Sequence, residues 1–164
     1  MLDRFAARAG ITDAAALTGR GAPRRICVPV DAAGRSGPAM ALAGQLSVTA
    51  GCLVRLVHVR VWDPPARSAR RLYAETEWEA LEVLDRALTG LWAAGATASG
   101  VVVDAPRSLA AAAIADSAAC WGADIVLVAR RRKTKAADLL TGSLAGQVAR
   151  KACCPVLVLN PGRR

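Results

Sequence analysis

The sequence predicts an α/β protein with a five-stranded, mostly parallel, doubly wound sheet and helices on both faces. From residue 25 onwards, short apolar runs alternate with longer helical segments, which is the order of consecutive β-α-β units. The runs are continuous, as in ICVPV and PVLVL, and such strands are typical of parallel sheets covered on both sides. Hydrophobic residues make up 54% of the 164 residues but aromatic residues only 4%, so the core must be mainly aliphatic.

The predicted elements follow one another closely. The predicted strands cover residues 26–30, 53–61, 101–103, 125–129 and 155–159. The predicted helices cover residues 38–50, about 67–94, 108–120 and a final segment that opens at Gly142 and Ser143. Ligands of such sheets bind at the carboxyl ends of the strands, where the strand order reverses, so we expect any binding site at that edge.

The first loop and helix carry clear signals. Ser36 is placed to cap the helix, Pro38 suits its first turn and Gly51 its carboxyl end. Asp31 directly follows the first strand, at the edge where ligands are expected. Its carboxylate could accept a hydrogen bond from the base or ribose of a nucleotide, or it could cap the following helix. The sequence leaves both roles open.

The second strand contains His58, the only histidine of the chain. No serine or cysteine partner and no second metal ligand can be recognised beside it, so we predict a structural role for His58 and no histidine-dependent hydrolase. In the long helix that follows, apolar residues recur every three or four positions, which predicts a stripe buried in the core. The stripe consists of Trp78, Leu81, Leu84, Leu88 and Leu91.

Charge and cysteine usage restrict the class of protein. The formal net charge of +9 attracts phosphate, acidic protein surfaces, nucleic acid or an anionic membrane face. The five cysteines lack metal-ligand spacing, so we predict reduced, mostly buried thiols in a cytoplasmic protein. Oxidant sensing by Cys153 and Cys154 is a lesser alternative. We expect no transmembrane segment and no signal peptide, because no apolar run is long enough.

Several segments resemble the universal stress protein (UspA-like) family over roughly residues 24–160. They are VPVD around Pro29 and Asp31, LVHV around His58, VDAP before the third helix, GADIVLVA, and GSLAGQVARKACCPVLVL. The resemblance implies a Rossmann-like, adenine nucleotide alpha hydrolase-like fold for residues 25–161, behind an N-terminal extension of residues 1–24. It also implies a dimeric regulatory or ligand-sensing module without dedicated catalysis. The extension is either an interaction arm or a loosely ordered tail.

Members of that family that bind ATP carry the pattern G-x-x-G, nine residues, then G followed by Ser or Thr. The glycines let backbone N–H groups approach phosphates, and the last pair opens a helix whose N-terminus attracts anions. Counting back from Gly142 and Ser143 places Ala129 and Arg132 at the two earlier glycine positions. Ala129 is costly mainly if the backbone needs a positive φ. Arg132 could fill the phosphate space or bind phosphate directly.

The resemblance therefore implies a degenerate site for ATP or another anionic nucleotide. The residues that would line it are Pro29, Asp31, Val128, Ala129, Arg132, Gly142, Ser143 and Leu144. The basic run RRRK between the two halves of the motif would lie beside a helix N-terminus, which itself repels cations, so we favour an anion site over a solvated loop.

The alternative is a ligand-free adaptor, whose basic loop and N-terminal extension bind an acidic protein partner or an anionic membrane face. Nucleic acid is disfavoured because no aromatic residues interleave the basic run. The last strand, which begins at Pro155 and ends at Leu159, is wholly apolar and would form an edge. In the resembling family this strand pairs across a two-fold axis, which implies a homodimer.

Overall fold

The computed structural model describes residues 23–64, 71–130 and 143–160. The N-terminal extension and the basic loop lie outside the described residues, apart from Pro23, Arg24 and Arg130. In chain order the elements are β1 (Arg25–Val30), α1 (Gly37–Ala50), β2 (Leu53–Asp63), β3 (Leu72–Tyr73), α2 (Glu77–Ala93), β4 (Ala98–Pro106), a 3₁₀ turn (Arg107–Leu109), α3 (Ala110–Trp121), β5 (Ile125–Ala129), α4 (Leu144–Lys151) and β6 (Val156–Leu159).

Five parallel strands form the sheet in the order β4-β2-β1-β5-β6. The chain runs outward from β1 through β2 to β4 and then crosses to β5 and β6, so the strand order reverses between β1 and β5. The doubly wound α/β prediction is confirmed. β3 adds a sixth strand, which the sequence did not predict, antiparallel to the end of β2.

Helices cover both faces of the sheet. We call the face under α1 and α2 the leucine face, where the buried leucines are Leu42, Leu56, Leu84, Leu91, Leu127 and Leu159. We call the face under α3 and α4 the alanine face, where the buried helix residues are Ala111, Ile114, Ala118, Ala145 and Val148. Successive strand residues alternate between the two faces, as the pleat of a strand requires. No helix in the described parts is long and apolar enough to span a bilayer.

Glycines allow close packing on the leucine face. A Cβ atom at Gly100 of β4 would lie 2.6 Å from Cδ1 of Leu84. A Cβ atom at Gly44 of α1 would lie 3.0 Å from Cδ2 of Leu91. Both distances are shorter than ordinary van der Waals contact, so α2 approaches the sheet and α1 as closely as it does because these two positions lack side chains.

The ends of α1 follow the sequence signals in part. Gly51 adopts φ 69°, and its N–H donates to the carbonyl groups of Leu46 and Ser47, so the predicted end of the helix is confirmed. Ser36 occupies the predicted N-cap position. Its side chain makes no capping hydrogen bond within residues 23–64, and the backbone carbonyl of Ser36 instead accepts from the Met40 N–H at 2.9 Å.

The start of α2 differs from the prediction, which placed it within residues 67–71. The helix begins at Glu77 because Thr76 and Glu79 form a capping box. Thr76 Oγ1 accepts from the Glu79 N–H at 3.2 Å, and the Glu79 carboxylate accepts from the Thr76 N–H at 2.7 Å. The preceding residues form β3 instead of a first helical turn. The Thr-x-x-Glu spacing that signals this start is visible in the sequence.

Two further expectations are wrong. In α2, Leu84 and Leu91 are buried, but Trp78 is 72% and Leu81 46% exposed, so the predicted core stripe extends over only part of the helix. The indole N–H of Trp78 instead donates to Glu82 at 3.1 Å along the helix surface. β4 has nine residues rather than the predicted three, because polar residues at its ends are tolerated in a half-buried edge strand.

Candidate functional site

A cavity of about 650 Å³ opens at the carboxyl ends of β1 and β5, where the strand order reverses. This is the edge at which the sequence predicted a binding site. Its volume lies within the range of roughly 300–1,000 Å³ that is usual for small-molecule sites. The structure brings six of the eight predicted site residues to this cavity: Pro29, Asp31, Val128, Ala129, Ser143 and Leu144. The other two, Arg132 and Gly142, lie outside the described residues.

Small side chains on the alanine face leave room for the cavity. The apolar residues that line it there are Val57, Val59, Val61, Ala110, Ala111, Ile114 and Ala145. The helix residues at this end of the sheet, at the start of α3 and α4, are mostly alanines, whose small side chains leave space beside the valines of β2. An apolar wall with a few polar groups at its rim is the usual construction of a site for an organic ligand.

Asp31 stands on one side of the rim. One carboxylate oxygen accepts from the Arg35 N–H at 3.0 Å, and the other lies 3.3 Å from the Arg35 guanidinium. The Asp31 carboxylate thus closes the turn between β1 and α1 and does not cap α1. Its side chain is 43% exposed, so it remains open to a ligand donor.

Ser143 also lines the cavity, as the N-cap of α4. Its hydroxyl oxygen accepts from the Gly146 N–H at 3.1 Å, which leaves the hydroxyl proton available to donate outward. The predicted opening of a helix at Ser143 is confirmed. The positive end of the α4 dipole and the first backbone N–H groups of the helix therefore lie at the rim, where an anion is favoured.

Ala129 takes the position of a motif glycine without strain. It is the last residue of β5 and pairs with Leu159 of β6. No described residue other than glycine has a positive φ, so the backbone at Ala129 does not need glycine's conformational freedom. The loss of this glycine leaves the backbone course of β5 intact.

Six polar residues that the sequence analysis did not name as site residues also line the cavity: Arg35, Ser36, His58, Arg107, Arg130 and Gln147. Arg107 Nη2 lies 3.0 Å from Asp63 Oδ2, and this hydrogen-bonded carboxylate raises the pKa of Arg107 above its ordinary value. Arg107 directly follows β4. The rule that ligands bind at strand ends would have found it, but β4 was predicted to end three residues too early.

His58 lies at the wall of the cavity, and its side chain is only 5% exposed. Nδ1 lies 3.0 Å from the carbonyl oxygen of Val30, and Nε2 lies 2.7 Å from Oε1 of Glu75. Glu75 was not predicted as the partner of His58, because the segment that carries Glu75 was predicted to be helical. Among the described residues, no cluster of three or more His, Cys, Asp or Glu side chains could hold a metal ion.

The five cysteines are all unpaired. Cys27 and Cys52 are buried, Cys154 is half-buried, and Cys120 and Cys153 are exposed. The prediction of mostly buried thiols is therefore wrong for the two exposed residues, which lie at the ends of α3 and α4 rather than inside strands. Burial raises the pKa of Cys27 to about 12 and also raises the pKa of Cys154.

Comparison with solved structures identifies close similarity in fold. A universal stress protein solved in complex with cAMP aligns with a TM-score of 0.65 at 23% identity, over 85% of this chain and 98% of that one. A universal stress protein from Archaeoglobus fulgidus in complex with dAMP aligns at 0.61 and 23% identity, over 82% and 96% of the two chains. A family protein from Arabidopsis thaliana with AMP bound aligns at 0.60 and 17% identity, over 85% and 93%.

These alignments confirm the Rossmann-like fold. No curated protein sequence matches the chain. The sequence profile of the universal stress protein family, however, matches residues 23–160, which is nearly the whole of the described sheet and its helices. The chain therefore belongs to the universal stress protein family.

Proposed function

We propose that the cavity binds an adenine nucleotide and that the protein acts as a ligand-sensing regulatory module. The observation that carries the proposal is that the Asp31 carboxylate and Ser143, the N-cap of α4, both line one apolar-walled cavity. A nucleotide combines the chemistry that these groups can bind: a flat base, a ribose with hydroxyl donors, and an anionic phosphate. The cavity thus offers each part a matching surface.

In the proposed complex the base lies against the valines of the alanine face. The ribose hydroxyls or the base amine donate to the Asp31 carboxylate. The phosphate lies at the N-terminus of α4, where the Ser143 hydroxyl and the backbone N–H groups of the first turn can donate to it. Arg130 also lines the cavity and adds positive charge near the same helix end.

The ligands of similar proteins support this class. Universal stress proteins with the same fold have been solved with cAMP, dAMP and AMP, all adenine nucleotides with a single phosphate group. ATP, which the glycine pattern of the family suggested, carries two more phosphate groups and is not the ligand named for any of these three proteins. We therefore propose a nucleoside monophosphate as the preferred ligand and ATP as the weaker one.

Calorimetric titration of the full chain with AMP, cAMP and ATP tests the proposal. We expect AMP to bind and Ser143→Ala to weaken it about tenfold, because a hydrogen bond to a charged group contributes about 1.5–3 kcal/mol. Ser99→Ala is the matched control, since Ser99 is exposed near the start of β4, at the opposite edge of the sheet. Absence of heat with all three nucleotides at millimolar concentration would contradict nucleotide binding.

That negative result would favour the second candidate, a ligand-free adaptor. The sequence feature that favours it is the basic run after Arg130, which could bind an acidic protein partner or an anionic membrane face. In either case we propose no dedicated catalysis. We also place the protein in the cytoplasm, where five unpaired cysteines are stable.

We further propose a homodimer through β6. The carbonyl groups of Pro155 and Leu159 accept from β5, so by the two-residue period of a strand the backbone groups of Val156 and Val158 point to the other edge. That edge has no partner among the described residues. Pairing it with a second copy would cover both the open backbone and the apolar strand.

Val158→Pro tests the dimer because it removes one outward N–H and leaves the bonds to β5 in place. Light scattering at micromolar concentration should show a dimer for the wild type and for Val158→Ala, which keeps the N–H, but a monomer for Val158→Pro. A wild-type monomer would contradict the proposal.

A further inference from the structure

The single histidine connects the leucine face to the end of β1 that borders the cavity. His58 Nδ1 lies 3.0 Å from the carbonyl oxygen of Val30, and Val30 directly precedes Asp31 on the rim. His58 Nε2 lies 2.7 Å from Oε1 of Glu75, in the segment that leads into α2. One buried imidazole therefore joins the last residue of β1 to the entry of the neighbouring helix.

Glu75 is held in place from both sides. Just before it, the Ala74 N–H donates to the Val61 carbonyl at 3.0 Å, which continues the pairing of β3 with β2. Just after it, Thr76 is anchored as the N-cap of α2. β4 occupies one edge of β2, so β3 pairs with the other edge, just past the point where β1 ends. The Glu75 carboxylate thus reaches His58 from a fixed backbone.

The two contacts determine where the protons lie. A carbonyl oxygen only accepts, so His58 Nδ1 carries a proton. A second proton must lie between Nε2 and the Glu75 carboxylate, because a lone pair on Nε2 would repel a carboxylate oxygen at 2.7 Å. His58 therefore donates to Val30 and shares its other proton with Glu75. The two side chains are largely buried: that of His58 is 5% exposed and that of Glu75 is 18% exposed.

We propose that Glu75 and His58 are positioning residues for the cavity. By fixing the Val30 carbonyl, they set the course of the backbone into Asp31 and thereby the place at which the Asp31 carboxylate meets a ligand. Neither side chain needs to touch the ligand for this role. The effect on ligand affinity rests on the proposed nucleotide binding, whereas the effect on the Asp31 backbone can be measured without any ligand.

Nuclear magnetic resonance of the ¹⁵N-labelled full chain tests the backbone effect. Because the chain has one histidine, the long-range spectrum shows a single imidazole, whose Nδ1 we expect to be protonated. Glu75→Ala should shift the amide signals of Asp31 and Arg35. Glu75→Gln should return them towards wild type, because the glutamine amide can donate to Nε2 of a neutral imidazole. Glu82→Ala, an equal truncation on the exposed face of α2, should leave them unchanged.

Calorimetry with AMP on the same variants tests the effect on affinity. We expect Glu75→Ala to weaken AMP binding by up to about tenfold, because a displaced Asp31 carboxylate would lose part of its hydrogen bond to the ligand. Glu75→Gln should recover most of that loss, and Glu82→Ala should bind like wild type. Should Glu75→Ala fail to fold, Glu75→Asp, which shortens the side chain by one carbon, takes its place.

The outcomes separate this inference from the proposed function. A folded Glu75→Ala protein with unshifted Asp31 and Arg35 amides, or with unchanged AMP affinity, overturns the positioning role while leaving nucleotide binding intact. A wild-type protein that does not bind AMP refutes nucleotide binding, and the amide shifts alone then decide whether Glu75 and His58 position the end of β1.

Discussion

The two faces of the sheet end differently at the carboxyl edge. On the leucine face, the strand residues that follow the core are polar, and they close the edge through the pairs His58–Glu75 and Arg60–Asp104. On the alanine face, β2 continues with Val57, Val59 and Val61 as far as the end of the strand, and these residues line the cavity. At the carboxyl edge, hydrogen-bonded charge pairs therefore close the leucine face, whereas the alanine face opens into the cavity.

Because of this difference, the leucine face contributes mainly to the stability of the fold and the alanine face to ligand binding. The leucine face depends on large side chains in close contact, as the short distances at Gly100 and Gly44 show. The alanine face has small helix residues whose shortness creates the cavity. Substitutions on the leucine face should therefore change the free energy of unfolding, whereas enlargements near the cavity should change ligand affinity.

The largest effect should come from Leu84→Ala on the leucine face. Leu84 is 6% exposed, and we expect a loss of about 3 kcal/mol in the free energy of unfolding, because a cavity would replace its side chain. Urea denaturation of the variant and wild type measures this loss. Leu81→Ala is the control: Leu81 is 46% exposed on the same helix, and its truncation should cost much less.

A double-mutant cycle sharpens the same point. Gly100→Ala alone should destabilise the protein by about 1–2 kcal/mol, because the new methyl group would lie against Leu84. In the Leu84→Ala background the same substitution should cost far less, since the space is then empty. Equal effects of Gly100→Ala in both backgrounds would contradict the close packing of α2 on β4.

The sequence predicted the strands of the core better than the carboxyl edge of the sheet, where the cavity lies. Continuous apolar runs located β1 and β5, because strands buried on both faces have few polar residues to interrupt the run. The carboxyl edge mixes polar and apolar residues, so periodicity failed there. β3, the true end of β4 and the start of α2 were all missed, and with them Glu75 and Arg107.

The candidate site was predictable to a similar degree. The positions of Asp31, Ala129 and Ser143 followed from the strand ends and from the spacing of the family motif. The apolar wall did not, because α3 contributes it across the sheet and no local pattern marks Ala110 or Ile114 as cavity residues. Tertiary contact decides which of many alanines faces a ligand, and a single sequence does not contain that information.

An enlargement on the alanine face should have an intermediate effect, on binding rather than on folding. Ala110 is half-buried at the start of α3 and lines the cavity. Ala110→Leu should fill part of the space and weaken AMP binding about tenfold, or about 1.4 kcal/mol, with little change in stability. Ala113→Leu, also half-buried in α3, is the matched control and should bind AMP normally. Equal loss of affinity in both variants would place the ligand elsewhere.

The smallest effect should come from the charge pair that closes the leucine face. Arg60 Nε and Nη2 each donate to a different oxygen of Asp104 at 2.7 Å, and these bonds lower the pKa of Asp104 below its ordinary value of 3.8. The folded protein therefore binds fewer protons than the unfolded chain just below pH 3.8, so the stability from this pair is present above that pH and is lost as the pH falls through the lower folded pKa.

Asp104→Asn should remove this pH-dependent contribution. Because the Asp104 side chain is 36% exposed and screened by solvent, we expect a loss of about 1 kcal/mol at pH 7. Urea denaturation from pH 7 to pH 3 should show the difference between wild type and variant shrinking in acid. Asp85→Asn, on the exposed side of α2, is the control for replacing a carboxylate by an amide. A constant difference for Asp104→Asn would mean that packing around Tyr73, rather than charge, closes this face.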